Sequence, residues 1–307
     1  MIDIRPKVNR PKLNPHAQQI IDDLEGRLKM HIIVLAEEIG PRDVFVPDKL
    51  NAAADYICQF WEKTGYEVNT QTFMVENITC RNLAVEIPGK FKPDEIVLIG
   101  AHYDTVSWSP GANDNGSAVA ALLELSRLFS AKSAIRTVRF VAFSNEEPPF
   151  FKTSQMGSLV YAKACRKKKE KIVAMVCLET IGYYRDEPKT QKYPFPLSFF
   201  YPNKGNFVAI VGNHRSKPLV KSFARYFMEE SDFPVECAAT FGFITGIDWS
   251  DHWSFWHCGY PAIMITDTAL FRYPYYHSSQ DTPDKIDDHS LARVTYGVYR
   301  ALTRMVE

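Results

Sequence analysis

"RTVRFVAFSNEEPPFF", residues 136–151, begins with the apolar positions Val138, Phe140, Val141, Ala142 and Phe143 and runs into two adjacent acids, Glu146 and Glu147. The first half reads as a buried strand. Two like charges side by side at a strand end repel each other unless something positive lies close by. Other segments repeat the pattern. "IVLI" (96–99) is short, β-branched and continuous, as a strand buried on both faces requires, and it leads into His102-Tyr103-Asp104. "IVAMVCL" (172–178) leads into Glu179, and "PAIMIT" (261–266) leads through a short aromatic loop to His277. "GANDNGSA" (111–118) puts Asp114 just ahead of a helix. In open α/β sheets, active groups gather beyond the carboxyl ends of the strands. Five successive segments therefore deliver an imidazole or a carboxylate to one sheet edge.

The rest of the chain supplies the layers around that sheet. Residues 1–13 read as an N-terminal arm, and Asn14-Pro15 as an N-cap followed by proline in the first turn of a helix carrying Ile20, Ile21, Leu24 and Leu28. Further helices are predicted over 48–63, 116–129, 156–165, 218–229 and from 283 to the end. Strands are predicted over 67–73, 82–87 and 206–212 as well as those above. Strands alternating with helices predict an α/β fold, a three-layer α/β/α sandwich with a mostly parallel central sheet. The segment 185–205 has no regular period and is too long for a plain connector, which marks it as a functional loop. "RKKKEK" (166–171) reads as the solvated end of a helix.

Composition excludes several function classes. The 307 residues carry 36 basic and 36 acidic side chains, so no global basic field attracts nucleic acid. No apolar run reaches the length of a transmembrane segment. The N-terminus, polar and proline-rich, lacks the apolar core of a signal peptide; the chain reads as cytoplasmic, or as exported if a leader has been removed. The six cysteines form no C-x-x-C and read as buried thiols, with one disulfide open to an exported protein.

Each motif alone has a plain structural reading. His102-x-Asp104 is as readily a satisfied pair as a ligand, "NDNGS" is a good helix-start turn with Asp114 or Asn115 capping, and "EEPP" is a polar turn. Glu179 at the end of an apolar run is less easily dismissed, because a buried unpaired carboxylate is costly. Taken together, two histidines and several carboxylates without cysteine suit zinc or a similar divalent metal. Such a cation answers the repulsion between Glu146 and Glu147 and divides their roles: one binds metal, the other serves as a base.

The combination "GAHYDT" (100–105), "GANDNGSA", "FSNEE" (143–147), "LETIGYY" (178–184), "SDHWSF" (250–255) and "YHSSQDTPDKID" (276–287) resembles the M28 family of zinc-dependent aminopeptidases, which also holds glutaminyl-cyclase-like and carboxypeptidase-like relatives. The resemblance implies the zinc-exopeptidase (phosphorylase/hydrolase-like) fold with a mixed, mostly parallel sheet. It implies two zinc ions bridged by Asp114, with His102 and Glu179 completing one site and Glu147 and His277 the other. Glu146 would be the general base and later acid, and Asp104 would fix the tautomer of His102. A cis peptide would follow Asp114. Asp251 and His252 would support the site without binding metal. Position 247, where some relatives carry an oxyanion-binding tyrosine, is isoleucine here, which leaves that role to Tyr276. The implied substrate is a peptide with a free N-terminus. Phe150, Phe151, Phe241, Phe243 and Phe271, near the motif loops, are the candidates for an apolar substrate pocket. Residues 14–307 would form one domain without the protease-associated insertion. The alternatives are glutaminyl cyclisation on the same scaffold and a metal-site-bearing binding protein without peptidase activity.

Overall fold

The structure, a computed structural model, describes residues 6, 8, 11–195 and 197–307; most of the predicted arm lies outside the described residues. Helix α1 spans Pro15–Ile33, and Asn14 caps it by accepting the Ala17 N–H on its side chain at 2.8 Å. That bond satisfies one of the amides a helix start leaves open. Helix α2 is Pro47–Lys63. Strands β1 (Asn69–Val75) and β2 (Ile78–Ile87) form a hairpin whose turn residues Glu76 and Asn77 both have positive φ. β3 (Lys92–His102), α3 (Ala118–Phe129), β4 (Arg136–Phe143), α4 (Gly157–Lys167) and β5 (Lys171–Glu179) follow. Then come β6 (Val208–Asn213), α5 (Lys217–Glu230), β7 (Val235–Thr240), α6 (His252–His257), β8 (Ala262–Thr266) and α7 (Asp288–Val306).

All eight strands join one sheet in the order β1-β2-β4-β3-β5-β8-β6-β7. The central four, β4-β3-β5-β8, are parallel, β1 and β2 add an antiparallel hairpin at one edge, and β6–β7 run opposite to β8 at the other. Side chains alternate between faces along a strand. Val97, Ile99 and Ala101 of β3 therefore join one core with α1, α2, α3, α5 and α7, while Ile96 and Leu98 join a second with α4 and α6. Apolar layers on both faces explain why these strands read as continuous apolar runs. The result is a three-layer α/β/α sandwich, a mixed sheet between two helical layers.

Two elements were not visible in the sequence. β7 is short and carries Ala and Cys rather than a β-branched run, and α6 is under two turns. Several boundaries shift: the strand predicted over 67–73 spans Asn69–Val75, and that predicted over 82–87 starts at Ile78. The helix predicted from 116 starts at Ala118, after a wide turn over Ala112–Ser117. The last helix starts at Asp288, and Pro283–Lys285 form only a 3-10 turn.

The end of β4 is fixed to α4 by close backbone contact. The Gly157 N–H donates to the Ser144 carbonyl at 3.0 Å, and Asn82 Nδ2 donates to the Gly157 carbonyl at 2.8 Å. A Cβ on Gly157 would collide with the Ser144 carbonyl, whereas one on Gly26, within α1, would meet nothing within 4 Å. Gly157→Ala is therefore expected to cost about 1–3 kcal/mol of stability through overpacking. Gly26→Ala should stabilise by about 0.5–1 kcal/mol through helix propensity. Urea denaturation of the two variants checks the opposite signs.

Candidate metal centre

The parallel strands bring the motif residues to one edge. His102 ends β3, level with Phe143 at the end of β4, so Ser144–Glu147 continue just beyond it. Glu179 ends β5, in register with Thr266 at the end of β8. Asp114 lies in the wide turn ahead of α3, and His277 in the loop after β8.

The two histidines divide the carboxylates between them. His102 Nε2 lies 3.3 Å from Glu179 Oε2 and 3.6 Å from Asp114 Oδ1. His277 Nε2 lies 3.1 Å from Glu147 Oε2 and 3.1 Å from Asp114 Oδ2. Asp114 thus offers one oxygen to each group. Glu146 Oε2 stands back, 3.9 Å from His102 Nε2. Donors about 2.1 Å from a tetrahedral zinc ion sit about 3.4 Å from one another, so these spacings suit a shared cation. Asp114 Oδ2, Glu147 Oε1 and His277 Nε2 are buried polar atoms with no hydrogen-bond partner. Imidazole and carboxylate donors without thiolate belong to zinc-type chemistry. The residues fit a divalent metal.

Electrostatics point the same way. Burial, reinforced by Glu147 and Glu179, lifts Glu146 well above the usual carboxylate range, and burial with Asp114 lifts Glu147 to about 7. Burial also raises Glu179, against the pull of His102. Burial opposes charge on His102 and His277, yet the adjoining carboxylates carry His102 well above the imidazole range and His277 to about 11. Protons thus take up the positive role that a metal would fill.

The supports are built from backbone amides. Asp104 was expected to hydrogen-bond His102 and fix its tautomer: His102 Nδ1 faces the Asp104 backbone carbonyl at 3.2 Å, and the carboxylate oxygen is 3.5 Å away. That carboxylate accepts the N–H of Glu146 and of Glu147, each at 3.1 Å. Asp281 does the same for the bridging segment, accepting the N–H of Asn113 at 2.8 Å and of Asp114 at 3.0 Å, with Tyr273 OH donating to it at 2.6 Å. The Asp114–Asn115 peptide is cis, as the resemblance implied. Asn115 ties the turn to β5, donating to the Leu178 carbonyl and accepting the Thr180 N–H. Ser250 Oγ donates to Glu179 Oε2 at 2.6 Å. Asp251 is buried beside it, its carboxyl raised to about 7 by desolvation. His252 spends Nε2 on the Ile247 carbonyl at 2.7 Å, and burial lowers it to about 4, so it is neutral.

Sequence reasoning missed Asp281, Ser250 and Arg42. Arg42 is fully buried, and its guanidinium donates only to backbone carbonyls, those of Leu35, Gly40, Tyr103, Pro110 and Gly111, at 2.7–3.3 Å. It stitches the loop after His102 to the turn before Asp114. Burial lowers its pKa to about 10, against the raising influence of Asp281, Asp104 and Asp114, so it stays charged at neutral pH.

An apolar cavity open to solvent adjoins the centre at Glu179 and Tyr276. Its floor follows a row in register across four strands: Glu179, Thr266, Ala209 and Glu236. At the usual strand spacing this row is about 14 Å long. Tyr193 and Leu197 of the irregular 185–205 loop, with Phe207, Ile247, Trp249 and Phe271, make apolar walls. Tyr276 stacks on the His277 ring at 3.9 Å, and burial keeps its phenol protonated.

Of the five phenylalanines expected there, only Phe271 lines the cavity. Phe150 is buried against Phe45 at 6.0 Å, and Phe151 packs under the Lys152 ammonium at 5.1 Å. Phe241 and Phe243 follow β7, which runs antiparallel to β8 and ends at the opposite edge of the sheet. There Phe241 packs on His214 at 4.5 Å and Phe243 on Phe241 at 5.2 Å.

Known proteins resemble the chain in sequence and in fold. Residues 82–302 match peptidase family M28. The chain is 36% identical over 285 residues to the uncharacterised protein YfbL of Escherichia coli K12, covering 90% of this chain and 87% of that protein. A zinc aminopeptidase from Bacillus subtilis superposes with a TM-score of 0.73 at 16% identity, covering 92% of this chain and 95% of that one. The glutaminyl cyclase of Fimbriiglobus ruber superposes at 0.66 with 21% identity, covering 97% and 99%. At these identities the solved structures share the fold.

Metal ligands must shed their protons. With His277 raised to about 11 and Glu147 to about 7, the metal-free cluster is protonated at pH 7. Zinc added to metal-free protein at pH 7 is therefore expected to release at least one proton per chain. Calorimetry in buffers of differing ionisation enthalpy measures this, and a buffer-independent heat would contradict it.

Proposed function

The chain belongs to peptidase family M28, and from that premise we propose that it is a zinc-dependent aminopeptidase acting on peptides with a free N-terminus. One observation carries the two-ion form of this reading: Asp114 presents its two oxygens to two separate His–Glu pairs. In it, His102, Asp114 and Glu179 hold one ion, and Asp114, Glu147 and His277 the other. When bound, such ions supply Lewis acidity and a water that ionises near neutral pH.

The chain's own residues do the rest. Glu146, set back from both pairs, takes the proton of the attacking water and returns it to the leaving amine. Its backbone N–H is held by Asp104, which fixes the main chain from which the carboxylate extends. Tyr276, a protonated phenol beside His277, donates a hydrogen bond to the oxyanion that develops at the scissile carbonyl. The apolar cavity takes the first side chain of the substrate, which favours bulky apolar residues. Ile247, where some relatives place a tyrosine, adds an apolar wall to that cavity. Residues 14–307 act as one peptidase domain.

The fold alone does not decide the reaction, since it is shared with both a zinc aminopeptidase and a glutaminyl cyclase. A panel of aminoacyl-nitroanilides, free and N-acetylated, decides it. Hydrolysis of free-amine substrates only, lost on chelation, restored by zinc and fastest for Leu and Phe, is the expected result. Equal turnover of Leu, Lys and Asp substrates would remove the apolar preference. Conversion of N-terminal glutamine to pyroglutamate without peptide hydrolysis would replace the reading with cyclisation, and silent, zinc-loaded protein would leave a binding role.

Glu146→Gln should lower kcat by about 10³-fold or more, as loss of a general base does, while zinc content stays at the wild-type value. A variant that loses metal together with activity would place Glu146 among the ligands instead.

A further inference from the structure

His277 differs from the other residues of the cluster. His102 and Glu179 end buried strands, and Asp114 and Glu147 have their backbones bracketed by buried carboxylates. His277 stands in a loop, and its side chain is 28% exposed. Its φ of 53° lies in the left-handed region, which a side chain with a Cβ occupies only when its surroundings hold it there. Two contacts do so: the ring stacks on Tyr276, and the backbone carbonyl accepts the indole N–H of Trp108 at 2.9 Å.

Trp108 comes from the loop between β3 and the Asp114 turn, and it is 62% exposed. So exposed an indole gains little from burial, and its one directional group is spent on the main chain of His277. The bond joins the loop that links His102 to Asp114 with the loop that carries His277.

We propose that Trp108 is a positioning residue for His277 and thereby sets the affinity of one metal position, that of Asp114, Glu147 and His277, without affecting the other. The inference rests on the two-ion reading above. The indole N–H holds the carbonyl, the carbonyl fixes the left-handed backbone, and that backbone aims Nε2 at the Asp114 and Glu147 oxygens. Loss of the bond lets the loop relax and spreads the imidazole over several positions. Loss of a hydrogen bond that orients a metal ligand lowers affinity by about 10-fold or more. The His102–Glu179 position, built on strand ends, does not depend on this loop.

The test is zinc uptake by metal-free protein in competition with a chromogenic chelator, with thermal unfolding of the metal-free variants alongside. W108F keeps an aromatic ring and removes the N–H. Wild type is expected to take two equivalents. W108F should hold one as wild type does and the other about 10-fold more weakly, with the metal-free melting temperature unchanged. H277A marks the affected position by abolishing the same equivalent. Two equivalents held by W108F as tightly as by wild type, or both weakened together, would overturn the inference alone. A wild-type chain that takes only one equivalent would overturn the two-ion reading and this inference with it.

Discussion

Holding several negative charges out of water at one sheet edge is the constraint on which the rest of the structure depends. Two unit charges 4 Å apart interact by about 4 kcal/mol at an effective dielectric near 20. Asp114, Glu146, Glu147 and Glu179 are all buried there. The two histidines face these carboxylates, and among the described residues the fold adds no Lys or Arg contact to them. It fixes their main chain: Asp104 brackets the amides of Glu146 and Glu147, and Asp281 brackets those of Asn113 and Asp114. These brackets add negative charge, so their role is geometric, holding each ligand so that its oxygens face a common point. Arg42 is the complementary device. Its guanidinium is saturated by carbonyls, so its charge is not cancelled by a contact ion pair and acts across the site on Asp281, Asp104 and Asp114.

The second consequence of the layout is the cavity. On the face of the sheet carrying α4 and α6, helices cover the strands beneath them, and the β8–β6–β7 end is roofed by loops. Because β6 and β7 run against β8, the loop after β7 begins at the far edge and must climb back across that face to reach Ser250 beside Glu179. On the way it supplies Ile247 and Trp249 to the cavity wall. One reversal of strand direction thus produces the cavity, its apolar wall and the serine that holds Glu179.

Much of this was legible in the sequence. The four central parallel strands announced themselves as apolar runs because both faces are buried, and the segments that follow them carried His102, Asp114, Glu147, Glu179 and His277 toward one sheet edge, their roles as ligands being what the family resemblance implied. The direction of β6 and β7 was not legible, since strand direction is set by tertiary pairing and β7 lacks a β-branched run. That one unknown misplaced Phe241 and Phe243. The supports were hidden for a different reason. Arg42, Asp281 and Ser250 act on main-chain atoms or on a ligand far away in sequence, and no local spacing encodes such a contact.

The shape of the cavity bears on the chemistry as well as on the specificity. A cyclising substrate folds its own amide side chain back onto its amine, so the reacting residue is compact and a small closed pocket serves it best. Here the floor runs about 14 Å across four strands, from Glu179 at the metal edge to Glu236, and Tyr193, Leu197, Trp249 and Phe271 keep it apolar. An apolar side chain whose carbonyl lies at the metal end would have its surface removed from water along that wall. On a fold shared by a peptidase and a cyclase, the apolar walls of this cavity are what support the aminopeptidase reading proposed above.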